Sequence, residues 1–273
     1  MMQATLREPF HFEGIGLHTG APAAIQVRPA QPDVGITFVL GSTRVPAAIE
    51  NVVDTSRATV LGRDGASVST TEHLLSALFA MGVSNAEIDV DGPEIPAGDG
   101  SSLEFVAAIQ RAGIEQQSRP RRVFEMDEPQ FVRAGDRMIA VLPSPEFRVR
   151  FVADFPPPIG TQYYDGAIDA QSYRDEIAGA RTFAYLHEIE ALWKRGLGRG
   201  GSLENALVFA PDGPMQPLRW PTEAVRHKVL DLIGDLALLG AWPQCEIVAI
   251  KSGHELHASI VRALRARMRV PSA

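Results

Sequence analysis

Hydrophobic and polar positions follow two periods along the chain, which predicts short strands mixed with amphipathic helices. In the first half, the pattern predicts strands at 24–27, 36–40, 58–61 and 86–90, and helices at 71–80 and 103–112. In the second half, it predicts strands at 138–142, 147–155 and 244–250, and helices at 186–194, 221–239 and 255–268. Helices and strands therefore alternate locally, as expected for an α+β protein.

The two halves share one order of elements. The segments EHLLSALFAMGVSNAEIDV (72–90) and RHKVLDLIGDLALLGAWPQCEIVAI (226–250) each begin a helix beside a histidine and lead through glycine to a strand. His73 and His227 occupy corresponding places. We therefore predict two similar two-layer α+β domains, each a β-sheet packed on two α-helices, with the functional site between them.

The charged, proline-bearing segment QQSRPRR (116–122) is the predicted linker between the halves. It places the N-terminal domain at 1–117 and the C-terminal domain at 122–273. Residues 173–209 have no counterpart in the sequence of the first half, so we interpret them as an insertion in the second domain. The glycine-rich segment GLGRGG (196–201) and the helix before it are candidates to form one wall of a pocket.

Composition narrows the classes of function. Of the 273 residues, 45% are hydrophobic and 22% charged, which is typical of a soluble globular protein. The net charge of −7 argues against a global positive field for binding nucleic acid or an anionic membrane. Apolar segments fall short of the roughly 20 residues that span a bilayer, so integral membrane association is not expected. The single Cys245 and the absence of a signal-peptide pattern favour a cytoplasmic location.

Acidic and histidine side chains recur at every fourth position of the helix predicted at 221–239. Glu223, His227, Asp231 and Asp235 form a narrow stripe on an otherwise apolar helix. One interpretation is a solvated face. In the other, the stripe is buried, and His227 and Asp231 present two ligands to a metal ion. The leucines that flank the stripe favour burial.

The segment STTEH (69–73) is a second candidate, at the start of the first predicted helix. Its S-x-x-E pattern is typical of a capping box, in which Ser69 and Glu72 satisfy the helix N-terminus. That explanation does not account for His73. As a third ligand beside the two on the later helix, His73 would complete a metal site of two histidines and one carboxylate. Glu72 would then lie beside a water molecule as a general base.

The turn KSGH (251–254) follows an apolar strand and precedes a helix, where side chains project beyond a sheet edge. An ordinary surface turn is one interpretation. In the other, His254 faces the metal site as a cation and acts as a general acid. Lys228, Lys251 and Arg199 are the candidate cations for a phosphate-bearing ligand of this acidic chain.

Seven motifs, in order and over nearly the whole chain, resemble the UDP-3-O-acyl-N-acetylglucosamine deacetylases of lipid A biosynthesis. They are GIGLHTG (14–20), STTEHLLSAL (69–78), EIPAGDGSS (94–102), RTF (181–183), GGSLENALV (200–208), RHKVLDLIGDL (226–236) and KSGHEL (251–256). The resemblance implies a cytoplasmic zinc-dependent amidohydrolase built from two similar α+β domains. It also implies a UDP-sugar substrate with one acyl chain and the release of acetate.

The resemblance assigns roles to residues of this chain. It implies Zn²⁺ ligands at His73, His227 and Asp231, a general base at Glu72, a general acid at His254 and an orienting carboxylate at Asp235. It implies contacts with the substrate or the tetrahedral intermediate at Thr182, Phe183 and Lys228. The insertion matches the acyl-chain passage, with candidate lining residues Tyr185, Ile189 and Leu197. Thr71, Gly98 and His257 depart from the family pattern, and none of the three is a catalytic position.

Two other functions are compatible with these residues. A non-haem Fe(II) oxygenase also uses two histidines and one carboxylate, usually on the strands of a barrel. A catalytically silent sugar-nucleotide binder would keep the fold, although the retention of all five catalytic-type residues argues against it.

An oligomer is not expected, and nothing in the sequence excludes one.

Overall fold

A computed structural model describes residues 1–268 of the chain. The strands of the N-terminal half are β1 (Met2–Leu6), β2 (Phe10–Ile15), β3 (Pro22–Pro29), β4 (Ile36–Leu40), β5 (Thr43–Pro46), β6 (Val52–Asp54), β7 (Val60–Arg63), β8 (Ala66–Val68), β9 (Ala86–Asp91) and β10 (Ile114–Pro120). Its helices are α1 (Glu72–Ala80) and α2 (Leu103–Ala112), with a 3-10 turn at Ile49–Asn51.

The C-terminal half contains the strands β11 (Val123–Glu125), β12 (Gln130–Ala134), β13 (Arg137–Pro143), β14 (Arg148–Asp154), β15 (Thr161–Ala167), β16 (Phe183–Tyr185), β17 (Leu207–Ala210), β18 (Gly213–Pro214) and β19 (Trp242–Ile250). Its helices are α3 (Ala170–Ser172), α4 (Leu186–Lys194), α5 (Glu223–Ala237) and α6 (His254–Arg267), with a π-helical turn at Tyr173–Ile177. The C-terminal domain was placed at 122–273, and its positions 269–273 lie outside the described residues. Among the described helices, none has the length and hydropathy needed to cross a membrane.

The main sheets of the two halves share a path of five strands, and the C-terminal sheet has one more strand, β11, which pairs with β19 in parallel. Their strand orders are β2-β3-β9-β4-β5 and β12-β13-β19-β14-β15. In each sheet the central strand, β9 or β19, is antiparallel to one hairpin and parallel to the first strand of the other. One helix precedes and one follows each central strand. The predicted α+β fold of two similar halves is confirmed.

The helices of the two halves meet between the sheets. α1 packs on α2 and on α5, and α5 packs on α6. Every residue of α1 is buried, as expected for a helix enclosed by neighbours on several sides. Buried hydrophobic residues from both halves form one continuous core. The contact between α1 and α5 is therefore where the halves share that core.

The helices α1 and α5 approach closely at Gly234. A Cβ atom at this position would collide with the carbonyl oxygen of Glu72. Glycine is unfavourable in a helix interior, but here the missing side chain lets the two backbones meet. The approach brings the first turn of α1 beside the middle of α5.

The segment predicted as a linker includes most of the strand β10, which the hydrophobic pattern did not predict. β10 pairs with β1 in an antiparallel arrangement, with Ala4 opposite Gln116, and such a long-range pairing leaves no local signal in the sequence. The short connection that follows is anchored to both halves. The guanidinium of Arg121 lies 4.5 Å from the ring centroid of Trp242 and donates a hydrogen bond to the carbonyl oxygen of Phe79.

The insertion contains α4, whose bounds match the predicted helix, and a small sheet of order β16-β17-β18. Another three-stranded sheet, β6-β7-β8, has the corresponding place in the first half. Each small sheet comes after the second hairpin of the main sheet and before the helix that precedes its central strand, α1 or α5. The pairings of β6-β7-β8 are all antiparallel, whereas β16 and β17 are parallel. Both halves thus carry a small sheet here, with different connections.

We expect Gly234→Ala to lower the free energy of unfolding by about 1–3 kcal/mol, as for an overpacked core. The added methyl group must push α1 away from α5, and this outweighs the better helix propensity of alanine. Chemical denaturation measures the change. Gly14→Ala is the control, because its Cβ would lie at an ordinary 3.5 Å from Cβ of Pro96. Equal stability of the Gly234→Ala variant and the unmodified chain would contradict the close approach.

Candidate functional site

Three candidate metal ligands meet where α1 and α5 pack together. His73 lies in the first turn of α1, and His227 and Asp231 lie one turn apart on α5. All three side chains are buried. The Nε2 atoms of His73 and His227 lie 3.7 and 3.4 Å from Oδ1 of Asp231. One ligand atom from each residue is therefore within reach of a common point.

The protonation of this cluster favours a bound cation. Nδ1 of His227 lies 3.0 Å from the carbonyl oxygen of Ala180, so we assign the proton to that nitrogen and a lone pair to Nε2. Burial lowers the pKa of His73 to about 3 and also lowers that of His227, so both rings are neutral near neutral pH. Oδ1 of Asp231 is buried and has no hydrogen-bond partner within residues 1–268. Buried lone pairs that face one another are unfavourable unless a positive charge lies between them.

Asp231 remains ionised in spite of its burial. Burial acts to raise its pKa, but the neighbouring His227 and Lys228 together hold that pKa well below its ordinary value. Nζ of Lys228 donates to Oδ2 of Asp231 over 2.6 Å. One carboxylate oxygen is thus fixed by an ammonium group, and the other is left for a metal ion.

Glu72, the residue before His73, is held by the backbone of Thr59. Its Oε2 accepts the N–H of Thr59 over 3.0 Å, and its Oε1 lies 3.7 Å from Nε2 of His254. Burial raises the pKa of Glu72 to about 7, although the charge of His254 acts to lower it. A carboxyl group with such a pKa is suited to accept a proton near neutral pH.

His254, in the first turn of α6, is oriented by Asp235 of α5. Its Nδ1 lies 2.7 Å from Oδ2 of Asp235. Burial acts to lower the pKa of His254, but the charge and hydrogen bond of Asp235, with the charge of Glu72, raise it to about 9. The imidazole is therefore protonated on both nitrogens and positively charged at neutral pH, and its Nε2 faces Glu72.

Two residues that the sequence did not assign complete this arrangement. The hydroxyl of Thr59 donates to Oδ1 of Asp235, and Nδ1 of His257 lies 2.7 Å from Oδ2 of the same carboxylate. His257 follows His254 by three positions on α6, a spacing that indicates one helix face. No such signal exists for Thr59, because its partners Glu72, Asp235 and His254 lie on three different helices.

The sequence comparisons place the chain in a family. The family model described as UDP-3-O-acyl N-acetylglycosamine deacetylase, LpxC, matches residues 3–266. The chain belongs to this family. The family predicted from the seven motifs is thereby confirmed.

Three relatives illustrate the similarity, and each is named UDP-3-O-acyl-N-acetylglucosamine deacetylase. The protein of Phenylobacterium zucineum is 46% identical, over 98% of this chain and 94% of its own length. The protein of Syntrophotalea carbinolica is 44% identical, over 97% and 88%. The protein of Nostoc sp. is 42% identical, over 97% and 99%.

Three interpretations of single segments in this LpxC family member prove wrong. The stripe on α5 is not solvated, because Glu223 is fully buried and paired with Nε of Arg181 at 2.8 Å. The capping box does not form, because α1 begins after Thr71 without a side-chain cap and Glu72 is held by Thr59. The strand predicted at 58–61 begins only at β7, because the N–H and carbonyl groups of Thr59 bond to Glu72 and Thr71.

The candidate substrate contacts lie in different surroundings. The ring centroid of Phe183 is 6.2 Å from that of His227, and Thr182 donates its N–H to the carbonyl oxygen of Gly100. Lys251, by contrast, already holds the carboxylates of Asp136 and Asp154. Lys228 has different acidic neighbours, namely Asp231, Asp235 and Glu72. Arg199 is exposed, and its N–H bonds to the carbonyl oxygen of His18.

The candidate acyl-passage residues lie in and beside the insertion helix α4. Tyr185 is buried in a small separate cluster with Leu207 and Phe209, and its hydroxyl donates to the carbonyl oxygen of Pro156. Ile189 and Leu197 are half-buried. Three large apolar side chains of the same insertion are exposed, namely Leu186, Trp193 and Leu203.

The ligand cluster predicts tight binding of about one Zn²⁺ ion per chain. We expect His227→Ala to weaken this binding by more than about 100-fold, because loss of an outer partner alone costs about 10–100-fold. Competition with a chromophoric chelator measures the affinity. His187→Ala removes an exposed imidazole and is the control. Equal Zn²⁺ affinity in both variants would place the metal elsewhere.

Proposed function

We propose that this chain is a zinc-dependent amidohydrolase that removes the N-acetyl group of UDP-3-O-acyl-N-acetylglucosamine and releases acetate. This reaction is an early committed step of lipid A biosynthesis. Membership of the LpxC family supports the proposal, as do the names of relatives that match nearly the whole chain. The observation that carries it is the convergence of three buried ligand atoms beside a base and an acid held by separate partners.

The residues present fit a zinc ion. Neutral imidazoles and a carboxylate are ordinary zinc ligands, and catalytic sites combine three of them with an open position. In the part of the chain that the structure describes, the buried Oδ1 of Asp231 has no hydrogen-bond donor, which supports a cation at this point. When bound, the ion would polarise the acetamide carbonyl and acidify the attacking water.

Other groupings of ligand-type side chains fit a metal less well. Asp235, His254 and His257 lie close together, but Nδ1 of each histidine is already hydrogen-bonded to Oδ2 of Asp235. An iron oxygenase is also less well supported, because the candidate ligands lie on α1 and α5 rather than on barrel strands.

The roles of the chain's own residues follow from their positions. Glu72 accepts a proton from the attacking water through Oε1, while Thr59 holds its other oxygen. As the water oxygen bonds to the acetyl carbon, protonated His254 stabilises the negative charge that develops on the carbonyl oxygen. His254 then protonates the amine nitrogen as the C–N bond breaks. Asp235 keeps the imidazole charged and directed at the site.

We propose that the insertion receives the acyl chain. Its exposed apolar side chains would cover part of a hydrocarbon chain, with Tyr185, Ile189 and Leu197 along the passage. Phe183 and Thr182 would border the sugar, since Phe183 packs against His227. Lys228 and Arg199 are the cations proposed for the diphosphate, and Lys251 would contribute only if it released Asp136 and Asp154.

Metal-stripped protein is expected to release acetate from the substrate only after addition of about one equivalent of Zn²⁺.

Folded, zinc-loaded Glu72→Gln should lower kcat by about 10²–10⁴-fold, the contribution of a general base. Glu190→Gln is the control, because it changes an exposed glutamate of α4. Stabilisation by UDP without turnover at any acyl length would instead favour a silent binder.

The pH dependence of kcat/KM should be bell-shaped. Glu72 must be deprotonated to act, and its pKa is raised to about 7, so the rate falls as the pH drops below that value. His254 must be protonated, and its pKa is raised to about 9, so the rate falls above that value. The residual kcat/KM of His254→Ala should therefore no longer fall at alkaline pH. An alkaline limb that persists in this variant would assign it to another group.

A further inference from the structure

The backbone is strained two residues before Glu72. Thr70 has a φ of +57°, in the left-handed region. β-branched residues rarely adopt this conformation, because their side chain crowds the backbone. Thr70 is also buried, at 3% exposure. Such a conformation persists only when neighbouring contacts enforce it.

Glu94 supplies those contacts. The hydroxyl of Thr70 donates to Oε1 of Glu94 over 2.7 Å. The backbone of Ser69 is held on both sides of the same residue, since it donates to the carbonyl oxygen of Pro93 and accepts the N–H of Ile95, each over 3.1 Å. The turn that leads into α1 is therefore tied to the side chain of Glu94 and to the backbone of its two neighbours, Pro93 and Ile95.

The carboxylate of Glu94 is fully buried, and its hydrogen-bond partners are neutral donors. It accepts the N–H groups of His18 and Thr19 over 3.0 and 2.9 Å and the hydroxyl of Thr19 over 2.8 Å. The turn that provides these donors wraps closely around the carboxylate, because a Cβ atom at Gly16 would collide with Oε2. A buried charge in such a position needs all its hydrogen bonds. A glutamine at position 94 would place its amide N–H₂ group where these donors require a hydrogen-bond acceptor.

We propose that Glu94 is a positioning residue, which sets the geometry of Glu72 and His73 by holding Thr70 in its left-handed conformation. It lies in the EIP segment and acts through the turn, not on the substrate. If Thr70 relaxed to a negative φ, the chain would enter α1 in a different direction and both side chains would shift. A displacement of about 1 Å can lower a reaction rate by about 100-fold. The part of this inference that concerns catalysis rests on the proposed function.

Thr70→Val provides the first test, because it removes the hydroxyl and keeps the shape of the side chain. We expect the Zn²⁺ affinity to fall by about 10-fold or more and kcat by about 10–100-fold, as for loss of a partner behind a metal ligand. KM should change by less than about 2-fold, because substrate contacts are not removed. The visible spectrum of the Co²⁺-substituted variant should also change, since it reports the arrangement of His73 around the metal.

Two further substitutions of threonine separate positioning from general destabilisation. Thr70→Ser keeps the hydroxyl and should restore Zn²⁺ affinity, the Co²⁺ spectrum and kcat to near those of the unmodified chain. Thr5→Val removes another buried, hydrogen-bonded hydroxyl, on β1, and should lower stability without changing metal binding or kcat. The inference is overturned if Thr70→Val keeps the metal affinity and spectrum of the unmodified chain, or if Thr70→Ser is as impaired as Thr70→Val.

Glu94→Gln extends the test to the carboxylate. We expect it to reproduce the metal-binding and kinetic defects of Thr70→Val, with a larger loss of stability. If Glu94→Gln does not fold, the Thr70 variants decide the question, because they leave the other donors of Glu94 in place. If the unmodified chain binds Zn²⁺ but releases no acetate, the proposed function fails, while the affinities and Co²⁺ spectra still decide whether Glu94 and Thr70 position the ligand.

Discussion

The site depends on one contact, the close approach of α1 and α5 at Gly234. Helices that pack through side chains lie about 8–10 Å apart, and a side chain at this position would meet the backbone of Glu72. With glycine there, His73 of one half and the ligand pair of the other half face each other across a few ångströms. Because each half supplies part of the ligand set, the site exists only when the halves are packed together.

The duplicated topology divides the chemistry between helices and turns. The candidate metal ligands lie on α1 and α5, the helices that precede the two central strands. The candidate base and acid follow strand-to-helix turns, and each turn contains a non-glycine residue with positive φ, Thr70 before Glu72 and Lys251 before His254. The strained turns bring these two side chains together, with Oε1 of Glu72 3.7 Å from Nε2 of His254, while the regular helices carry the candidate metal ligands.

Local patterns predicted the elements whose contacts repeat with the helix or strand period. The bounds of β4, α2 and α4 agree with the predicted ones. The apolar face of α2 is buried, whereas the apolar residues Ile189 and Leu192 of α4 are only half-buried. The pattern failed at Thr59, whose backbone groups bond to the α1 region rather than to a strand, and at β10, whose partner strand lies at the other end of the half. In both places a tertiary hydrogen bond decides the backbone conformation, and it has no local signature.

The same distinction applies to the site. His227 and Asp231, or Glu72 and His73, are adjacent on one helix, so spacing alone suggests them. Thr59 and Glu94 each form several hydrogen bonds to segments distant in sequence, so spacing along the chain does not indicate them. Buried polar atoms normally find partners. Glu72, Asp235 and Glu94 all accept hydrogen bonds from donors nearby, whereas Oδ1 of Asp231 has none among residues 1–268. This oxygen lies between the Nε2 atoms of His73 and His227, an arrangement that a bound cation would satisfy.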